Sequence, residues 1–571
     1  MNAALLLEHY ARISDAPDAI ARLRRFVLDL AVRGKLVEQG AGDEPASVLL
    51  KRISAEKARL VRTGEARKPK AIPDLAEPPY PLPDNWGWSQ IAEIGIINPR
   101  VDFDDNALAS FVPMPMIAAE YGVPNGHEPR PWGQIKKGYT HFAEGDVGLA
   151  KITPCFENGK STVFSNLTGG VGSGTTELHV VRPLFVDPAY ILVFWKCPFF
   201  IENGIPRMTG TAGQKRVPTD YFANSPFPLP PLPEQHRIVA KVDELMALCD
   251  QLEAARAERE AARDTFTLST LAKLNTPDPE IFGEDASFAL ANLAPLTTRP
   301  DQIKQLRRTI LRLALAGKLT EQNPTDDPAS NLLAAIGERR SALLKAGYPN
   351  ATEARTQQRK AAEQSLPREV AALPHGWEYA TLQQCALMVI DCKNKTAPYT
   401  PHGVRLIRTT NVRDGKLNAI DQRYVSPDTY EVWSARAKPE PGDILITREA
   451  PMGEVCLIPA DTTICLGQRM MLARLVPDTI SPRFMLYSLM DPDLMDRVQD
   501  KPIGMTVQHL RVGGVETLVV PLPPLAEQHR IVAKVDELLT LCDQIETSLT
   551  EGEQSRSWLL EAVLHKTLEP A

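Results

Sequence analysis

Apolar residues at Leu23, Phe26, Val27, Leu30 and Ala31 recur at helical spacing, which predicts a helix over Ile20–Val32 that Gly34 stops. Much later, Ile238, Val242, Leu245, Leu248 and Leu252 recur every three or four residues. They predict an amphipathic helix from Glu234 to about Ala262, roughly 43 Å long at about 1.5 Å per residue. The prolines between Pro228 and Pro233 halt the strand before it. The same stripe returns at Ile531, Val535, Leu538, Leu541 and Ile545. Between these helices the pattern changes to short apolar runs, such as Leu178–Val181 and Asp443–Thr447, separated by glycine and proline. That pattern predicts mixed α/β domains with many loops. The stretch Thr63–Pro79 is polar, charged and proline-broken, and reads as a linker.

The chain is one unit written twice. Pro228–Glu253 (PLPPLPEQHRIVAKVDELMALCDQLE) matches Pro521–Glu546 (PLPPLAEQHRIVAKVDELLTLCDQIE) at 22 of 26 positions, with an offset of 293. Upstream, Leu23–Gln39 matches Leu306–Gln322 at an offset of 283. Pro45-Ala46-Ser47 echoes Pro328-Ala329-Ser330, and Leu82-Pro83 with Trp86 echoes Leu373-Pro374 with Trp377. Residues 84–230 and 374–523 share little beyond Gly145-Asp146 then Lys151 against Gly442-Asp443 then Arg448, and Gly210 then Gln214 against Gly504 then Gln508. Repeated helices imply one contact made twice, and divergent globular segments imply two different things recognised. The expected organisation is a lead-in and linker (1–80), a first globular domain (81–233), a central long helix (234–272), a linker with the repeated lead-in (273–370), a second globular domain (371–526) and a closing long helix (527–571). The expected fold class is mixed α+β: two α/β domains joined by long antiparallel, coiled-coil-like helices in a pseudo-twofold repeat.

Composition narrows the choice of function. With 43% hydrophobic and 24% charged residues in 571, large cores can form. A net charge of −7 excludes a uniformly basic nucleic-acid coat. No apolar run approaches the length of a membrane span, and Glu8 and Asp15 come too early for a signal peptide, so a cytoplasmic protein with no membrane partner is expected. Eight scattered cysteines, without a CxxC pair or zinc spacing, read as reduced thiols. No catalytic constellation emerges. Asn224-Ser225-Pro226-Phe227 lacks the paired prolines of an adenine methyltransferase loop. Gly210–Arg216 lacks the spacing and hydroxyl of a phosphate-binding loop. Gly169–Gly174 reads as a turn between strands. Asp391-Cys392-Lys393 and Asp414-Gly415-Lys416 fit half a nuclease pattern, but solvated loop charge accounts for them better.

An acidic chain still binds DNA if its bases cluster on one face. Candidate contacts are Lys136, Lys137, Lys151, Lys215 and Arg216 in the first half, and Lys393, Lys395, Arg408, Arg448 and Arg469 in the second, with Arg405 and Arg413 beside them. Base edges are read by Arg, Lys, Asn or Gln, which favours Gln214, Gln508 and the set Thr409, Thr410 and Asn411. The repeated helix starts, Glu234, Gln235, His236 and Arg237 with Glu527, Gln528, His529 and Arg530, are candidate subunit contacts.

Taken together, PLPPLPEQHRIV and PLPPLAEQHRIV before the long helices, SFVPM (Ser110–Met114), GDVGLAKITPCFENGK (Gly145–Lys160), TGTAGQKRV (Thr209–Val217), IRTTNV (Ile407–Val412) and PGDILITREAPMGEV (Pro441–Val455) resemble the specificity subunits of Type I restriction–modification systems. The resemblance implies two target-recognition domains, each reading half of a split DNA sequence, with the long helices as the ruler between them. It implies double-stranded DNA, two modification (methyltransferase) subunits and restriction (endonuclease/translocase) subunits as partners. The chain itself would be non-catalytic and bind no cofactor, with S-adenosylmethionine, ATP and Mg2+ on the partner subunits. From sequence, a stand-alone DNA-modifying enzyme with a degenerate site, or a non-DNA scaffold presenting two ligand-binding domains, remain alternatives.

Overall fold

A computed structural model describes residues 15–67, 71–75, 77–211, 213–276, 278, 280–367, 372–449, 451–493 and 510–568. The chain forms two compact units, one of Met1–Glu260 with Gly552–Ala571 and the other of Ala261–Glu551. Both unit boundaries fall inside long helices, Leu232–Asn275 and Leu525–Leu568, of 44 residues each. Each unit therefore contains the start of one long helix and the end of the other.

In the first unit the lead-in helix spans Ala19–Val32 and buries Phe26, Val27, Leu30 and Ala31, close to the predicted bounds. Gly34 ends it at φ 65°, a left-handed conformation that glycine adopts without a steric penalty. A Cβ there would lie 2.4 Å from Pro83 Cγ and 3.3 Å from Trp86. Gly317 repeats this at φ 66°, with Pro374 at 2.7 Å and Trp377 at 3.2 Å. The faint Leu-Pro…Trp echo thus marks a proline and a tryptophan packed on the glycine that stops each lead-in. Between the lead-in and the Thr63–Pro79 stretch the chain forms a further helix, Ala46–Arg62, burying Ala46, Leu49, Ile53 and Leu60. Its counterpart is Ala329–Lys345, and helices Phe282–Ala291 and Ala351–Ala362 also occupy the expected second linker. Ala46, Leu49, Ile53 and Leu60 keep helical spacing, so the Ala46–Arg62 helix is a signal that the sequence carries and the linker reading passed over.

Among its described residues the first globular domain carries ten strands. Strand β1 (Gly87–Gln90) pairs antiparallel with β10 (Pro226–Leu229), closing the domain at its root. Between them lie β2 (Gly95–Ile97), β3 (Leu108–Val112), β4 (Glu128–Pro131), β5 (Thr140–Ala143), β6 (Val147–Ala150), β7 (Ser161–Val163), β8 (Val171–Gly174) and β9 (Leu178–Pro183). They form two four-stranded sheets in the orders β2-β9-β6-β7 and β4-β3-β8-β5, with β3 and β8 parallel. Turn geometry is confined to Thr168–Gly170; the rest of the glycine-rich Gly169–Gly174 run is strand β8, a correction to its reading as a turn.

The second unit repeats this plan with different residues. Strands β11 (Glu378–Thr381), β12 (Ala386–Asp391), β13 (Val404–Ile407), β14 (Val412–Arg413), β15 (Lys416–Leu417), β16 (Arg423–Val425), β17 (Ile444–Thr447), β18 (Val455–Leu457), β19 (Ile464–Leu466), β20 (Met470–Leu475) and β21 (Val519–Leu522) follow in order. The pair β11-β21 matches β1-β10, and the sheet β12-β20-β17-β18 matches β2-β9-β6-β7. The sheet β16-β13-β19 keeps the parallel pairing, now between β13 and β19. An ion pair on a buried carboxylate recurs as well: Arg182 Nε donates to Asp146 Oδ1 at 2.8 Å, and Arg474 Nε to Asp443 Oδ1 at 2.8 Å. Gly145-Asp146 and Gly442-Asp443, the faint agreement between the halves, are the turn that places this carboxylate.

The long helices lie close to the expected bounds 234–272 and 527–571 and differ from expectation in phase. The first begins at Leu232 and runs past Ala262 to Asn275. Its buried stripe is Ile238, Val242, Met246 and Cys249, while Leu248 is 50% exposed. Eleven residues make about three turns, which returns Cys249 to the face of Ile238, whereas ten leave Leu248 roughly 80° off it. The second helix behaves alike: Ile531, Val535 and Cys542 are buried and Leu541 is 44% exposed.

Candidate nucleic-acid interface

The helix starts turn mostly inward. Glu234 is fully buried and accepts a hydrogen bond from Gln39 Nε2 at 2.7 Å. Glu527 accepts from Gln322 Nε2 at 2.6 Å and from Trp377 Nε1 at 2.9 Å, and burial pushes both carboxyls above their ordinary range. Gln235 caps the helix that follows Asp187 by accepting from its backbone N–H at 2.8 Å, and Gln528 accepts from Ser481 N–H at 3.0 Å. Glu234, Gln235, Glu527 and Gln528 are therefore not subunit contacts: their polar atoms face the interior of their own unit. Arg237 pairs with Asp43 at 2.6 Å and Arg530 with Asp326 at 2.6 Å, both half-buried. Of the candidate contacts, His236 and His529 point to solvent.

In the first domain three motifs that are far apart in sequence meet. The backbone N–H of Lys151, after β6, donates to Glu177 O in the turn between β8 and β9, at 2.9 Å. Val217 N–H donates to Lys151 O at 2.8 Å, and Thr153 N–H to Lys215 O at 2.9 Å. Lys151, Gln214, Lys215 and Arg216 thus converge around Glu177. Gln214 and Lys215 are exposed. Arg216 grips Glu177, with Nε at 2.9 Å from Oε2 and Nη2 at 2.8 Å from Oε1, and Nη1 donates to Gln214 O at 2.9 Å. Arg216 holds the Glu177 carboxyl below its ordinary range. A cleft is lined by Phe111, Met114, Lys137, Tyr139, Thr175 and Thr176, the two threonines directly preceding Glu177 in the chain, and Lys137 is exposed. Lys136 instead turns to Asp105, at 2.6 Å.

The second domain repeats the two backbone rungs. Arg448 N–H donates to Arg469 O at 3.0 Å, and Leu510 N–H to Arg448 O at 2.9 Å. Arg448 Nε donates to Leu510 O at 2.9 Å, and Arg469 pairs with Glu449. Lys393 lies 4.7 Å from the centre of the Trp433 ring, and Lys395 is exposed. Thr396 donates to Gln468 at 3.2 Å and Gln468 to Asn394 at 3.3 Å, which ties the lysine loop to the turn that carries Arg469. Arg408 donates to the Asp421 carbonyl at 2.6 Å and to its carboxylate at 2.9 Å. Thr410 is exposed and Thr409 half-buried. Asn411 is a correction: it is fully buried, accepting from Arg408 N–H at 3.1 Å and donating to Ile420 O at 2.8 Å, so it shapes the loop and cannot reach a base. Arg405 also turns inward, to Gln422 and the Asn418 carbonyl. Gln508 lies outside the described residues.

The enzyme-like strings serve the fold. Asn224-Ser225-Pro226-Phe227 runs into β10, with Ser225 and Phe227 buried. Asp391 pairs with Arg436, and the Asp414 backbone N–H donates to Glu454 at 3.0 Å. Among the described residues no group of three or more His, Cys, Asp or Glu is arranged to hold a metal ion, and no helix is long and apolar enough to cross a membrane. Glu177 and Glu449 escape a search of the sequence for cations; their only signal is an acid beside each basic motif. Thr175, Thr176, Tyr139 and Gln468 carry none.

The likeness to known proteins agrees with this geometry. A family model described as "Type I restriction modification DNA specificity domain" matches residues 431–552. The Escherichia coli "Type I restriction enzyme EcoAI specificity subunit" is 37% identical over 95% of this chain and 93% of its own length. The Escherichia coli "Type I restriction enzyme EcoEI specificity subunit" is 36% identical over 96% of this chain and 94% of its own length. A solved structure from work on the "Structural basis underlying complex assembly and conformational transition of the type I R-M system" covers 86% of this chain and 99% of its own, with a TM-score of 0.51 at 19% identity, a likeness of fold. A duplicated frame carrying two domains of unlike sequence, matched nearly end to end by these relatives, places the chain in the family of DNA specificity subunits of Type I restriction enzymes.

Proposed function

We propose that each globular domain reads one half of a split, asymmetric DNA site, and that the two long helices set the unread gap between the halves. The observation that carries this reading is the pairing of a shared backbone frame with unlike side chains. The rungs at Lys151, Glu177 and Val217 recur at Arg448, Arg469 and Leu510, so one strand layout presents different chemistry in each domain. Phosphate contacts by exposed lysines such as Lys137, Lys215, Lys393 and Lys395 position the duplex, and side chains such as Gln214 and Thr410 reach base edges. Single-molecule methylome sequencing of the host should reveal a motif of two short unlike sequences with a fixed gap. A continuous or palindromic motif attributable to this chain would overturn the reading.

The same proposal makes the chain a non-catalytic address for two identical modification subunits, which carry S-adenosylmethionine. Restriction subunits that use ATP and Mg2+ join that complex. Support comes from a repeated surface. His236, Ala240, Glu244 and Leu248 stand at four-residue spacing on the first long helix, and His529, Ala533, Glu537 and Leu541 on the second; all eight are exposed. A stripe present twice, residue for residue, with an exposed leucine in each, fits one partner surface used twice. Native mass spectrometry should count two modification subunits on the wild-type chain, one on either Leu248→Glu or Leu541→Glu, and none on the double variant. Two subunits on the double variant would contradict this placement.

A further inference from the structure

We propose that a carboxylate–arginine latch is the positioning element of each reading face: Glu177 with Arg216 in the first domain, and Glu449 with Arg469 in the second. The proposal rests on the reading that each domain recognises half a site. It assigns Arg216 and Arg469 to shaping that recognition, in place of contact with phosphate.

In the first domain, donors on all three guanidinium nitrogens of Arg216 are committed. Nε and Nη2 bond Glu177 between 2.8 and 3.1 Å, and Nη1 bonds the carbonyl of Gln214 at 2.9 Å. The backbone of Arg216 is fixed as well, by isolated bridges to Ile152 and Thr209. The last contact of the side chain therefore fixes the peptide that presents Gln214 and Lys215. Gly210 allows this close folding, since a Cβ there would sit 2.8 Å from Gln214 O. A phosphate competing for Arg216 would have to displace Glu177 and leave a carboxylate facing the duplex, which like-charge repulsion opposes.

The second domain carries an acid–arginine pair at a neighbouring place, with the arginine on the shared rung and the acid on a different strand end. Arg469 occupies the rung position that Glu177 occupies in the first domain, because each accepts from the N–H of the residue after β17 or β6. Its partner Glu449 follows Arg448, as Ile152 follows Lys151. Arg469 adopts a left-handed backbone at φ 68°, a conformation disfavoured for a residue with a side chain. Neighbouring places in two domains of unrelated sequence thus keep an acid–arginine pair while exchanging which strand supplies the acid. The Arg216 fork on Glu177 restrains geometry in a way that a single lysine cannot, while Arg469 meets Glu449 through Nη1.

The test uses the full chain assembled with its modification subunits, with two readouts: the methylated motif, and the slope of log affinity against log salt on a duplex carrying that motif. Arg216→Lys keeps the charge and loses the fork, and Glu177→Gln keeps the shape and loses the charge. Each should relax the first half of the motif and leave the second half intact, and Glu449→Gln should do the reverse. The double variant Arg216→Gln with Glu177→Gln, which removes the pair without leaving a bare carboxylate, should leave the salt slope unchanged. A slope reduced by about 0.9, the loss of one phosphate contact, with an unaltered motif would overturn the proposal. If Gln214→Ala relaxes the first half while Arg216→Lys and Glu177→Gln leave it intact, the latch alone fails. If the wild-type motif is not split, the reading beneath it fails.

Discussion

At the scale of single residues, the reading faces depend on groups that never touch DNA. His179 on β9 shows how. Its Nε2 meets Val217 O at 3.1 Å and its ring stacks on Phe222 at 4.7 Å, so it anchors the strand that carries Arg216 and Lys215. Burial pushes its pKa down to about 4 from an ordinary 6.5. The folded state therefore resists a proton that the unfolded chain accepts, and stability falls as pH drops below about 6.5 until the folded group also titrates near 4. Between pH 7 and pH 5 this one group should cost about 2 kcal/mol of stability. Denaturant titrations of wild type and His179→Gln should show that difference between the two pH values, and equal pH dependence in both proteins would refute it. Residue roles were only partly legible in the sequence. Lys215 and Gln214 stood out as a polar tip after glycine, and they are exposed. Asn411 and Arg405 have the right chemistry for DNA but face inward, because nearby carbonyls of Asn418 and Ile420 need donors. Side-chain direction in a loop is decided by such partners, which lie several residues away and leave no periodic trace.

At the scale of elements, the long helices were the most legible part of the chain, since a stripe repeated at roughly 3.6-residue spacing over many turns is produced by a helix and by little else. The stripe alone carried the first only to about Ala262, short of its end at Asn275. Past Leu252 the apolar spacing loosens, yet Leu271 and Leu274 pack against Ala289, Leu296 and Leu313 and extend the helix to Asn275. The helices Ala46–Arg62 and Ala329–Lys345 went unread although apolar residues outnumber charged ones in both; each buries only a few side chains. The strands were visible as apolar runs, but their order was not, because the parallel partners β3 and β8 have β4, β5, β6 and β7 between them in the chain. A ruler role predicts a proportional response. Deleting seven residues at matching places in both long helices removes roughly 10 Å from each, equivalent to about three base pairs, and seven residues restore the helix face to within about 20°. The motif recovered by methylome sequencing should keep both half-sites and lose about three base pairs of gap. An unchanged gap would remove the helices from that role.

At the scale of the whole molecule, duplication explains what neither residues nor elements explain alone. Contacts of the frame recur pair by pair: Gln39 with Glu234 as Gln322 with Glu527, Arg237 with Asp43 as Arg530 with Asp326, and Arg24 with Asp250 as Arg307 with Asp543. Each ties a long helix to the lead-in segment of its own unit. The frame was legible because these residues are nearly identical in both copies. The shared fold of the domains was not, because β2-β9-β6-β7 and β12-β20-β17-β18 keep the same backbone pairing and one arginine on a buried aspartate while almost every side chain differs. Two domains that act independently on a common frame should be separable by exchange. Replacing residues 81–233 with the corresponding segment of a relative that has a different target, followed by single-molecule methylome sequencing, tests this most directly. One half of the motif should change to that of the donor while the other half and the gap persist. A motif altered in both halves would contradict independent reading.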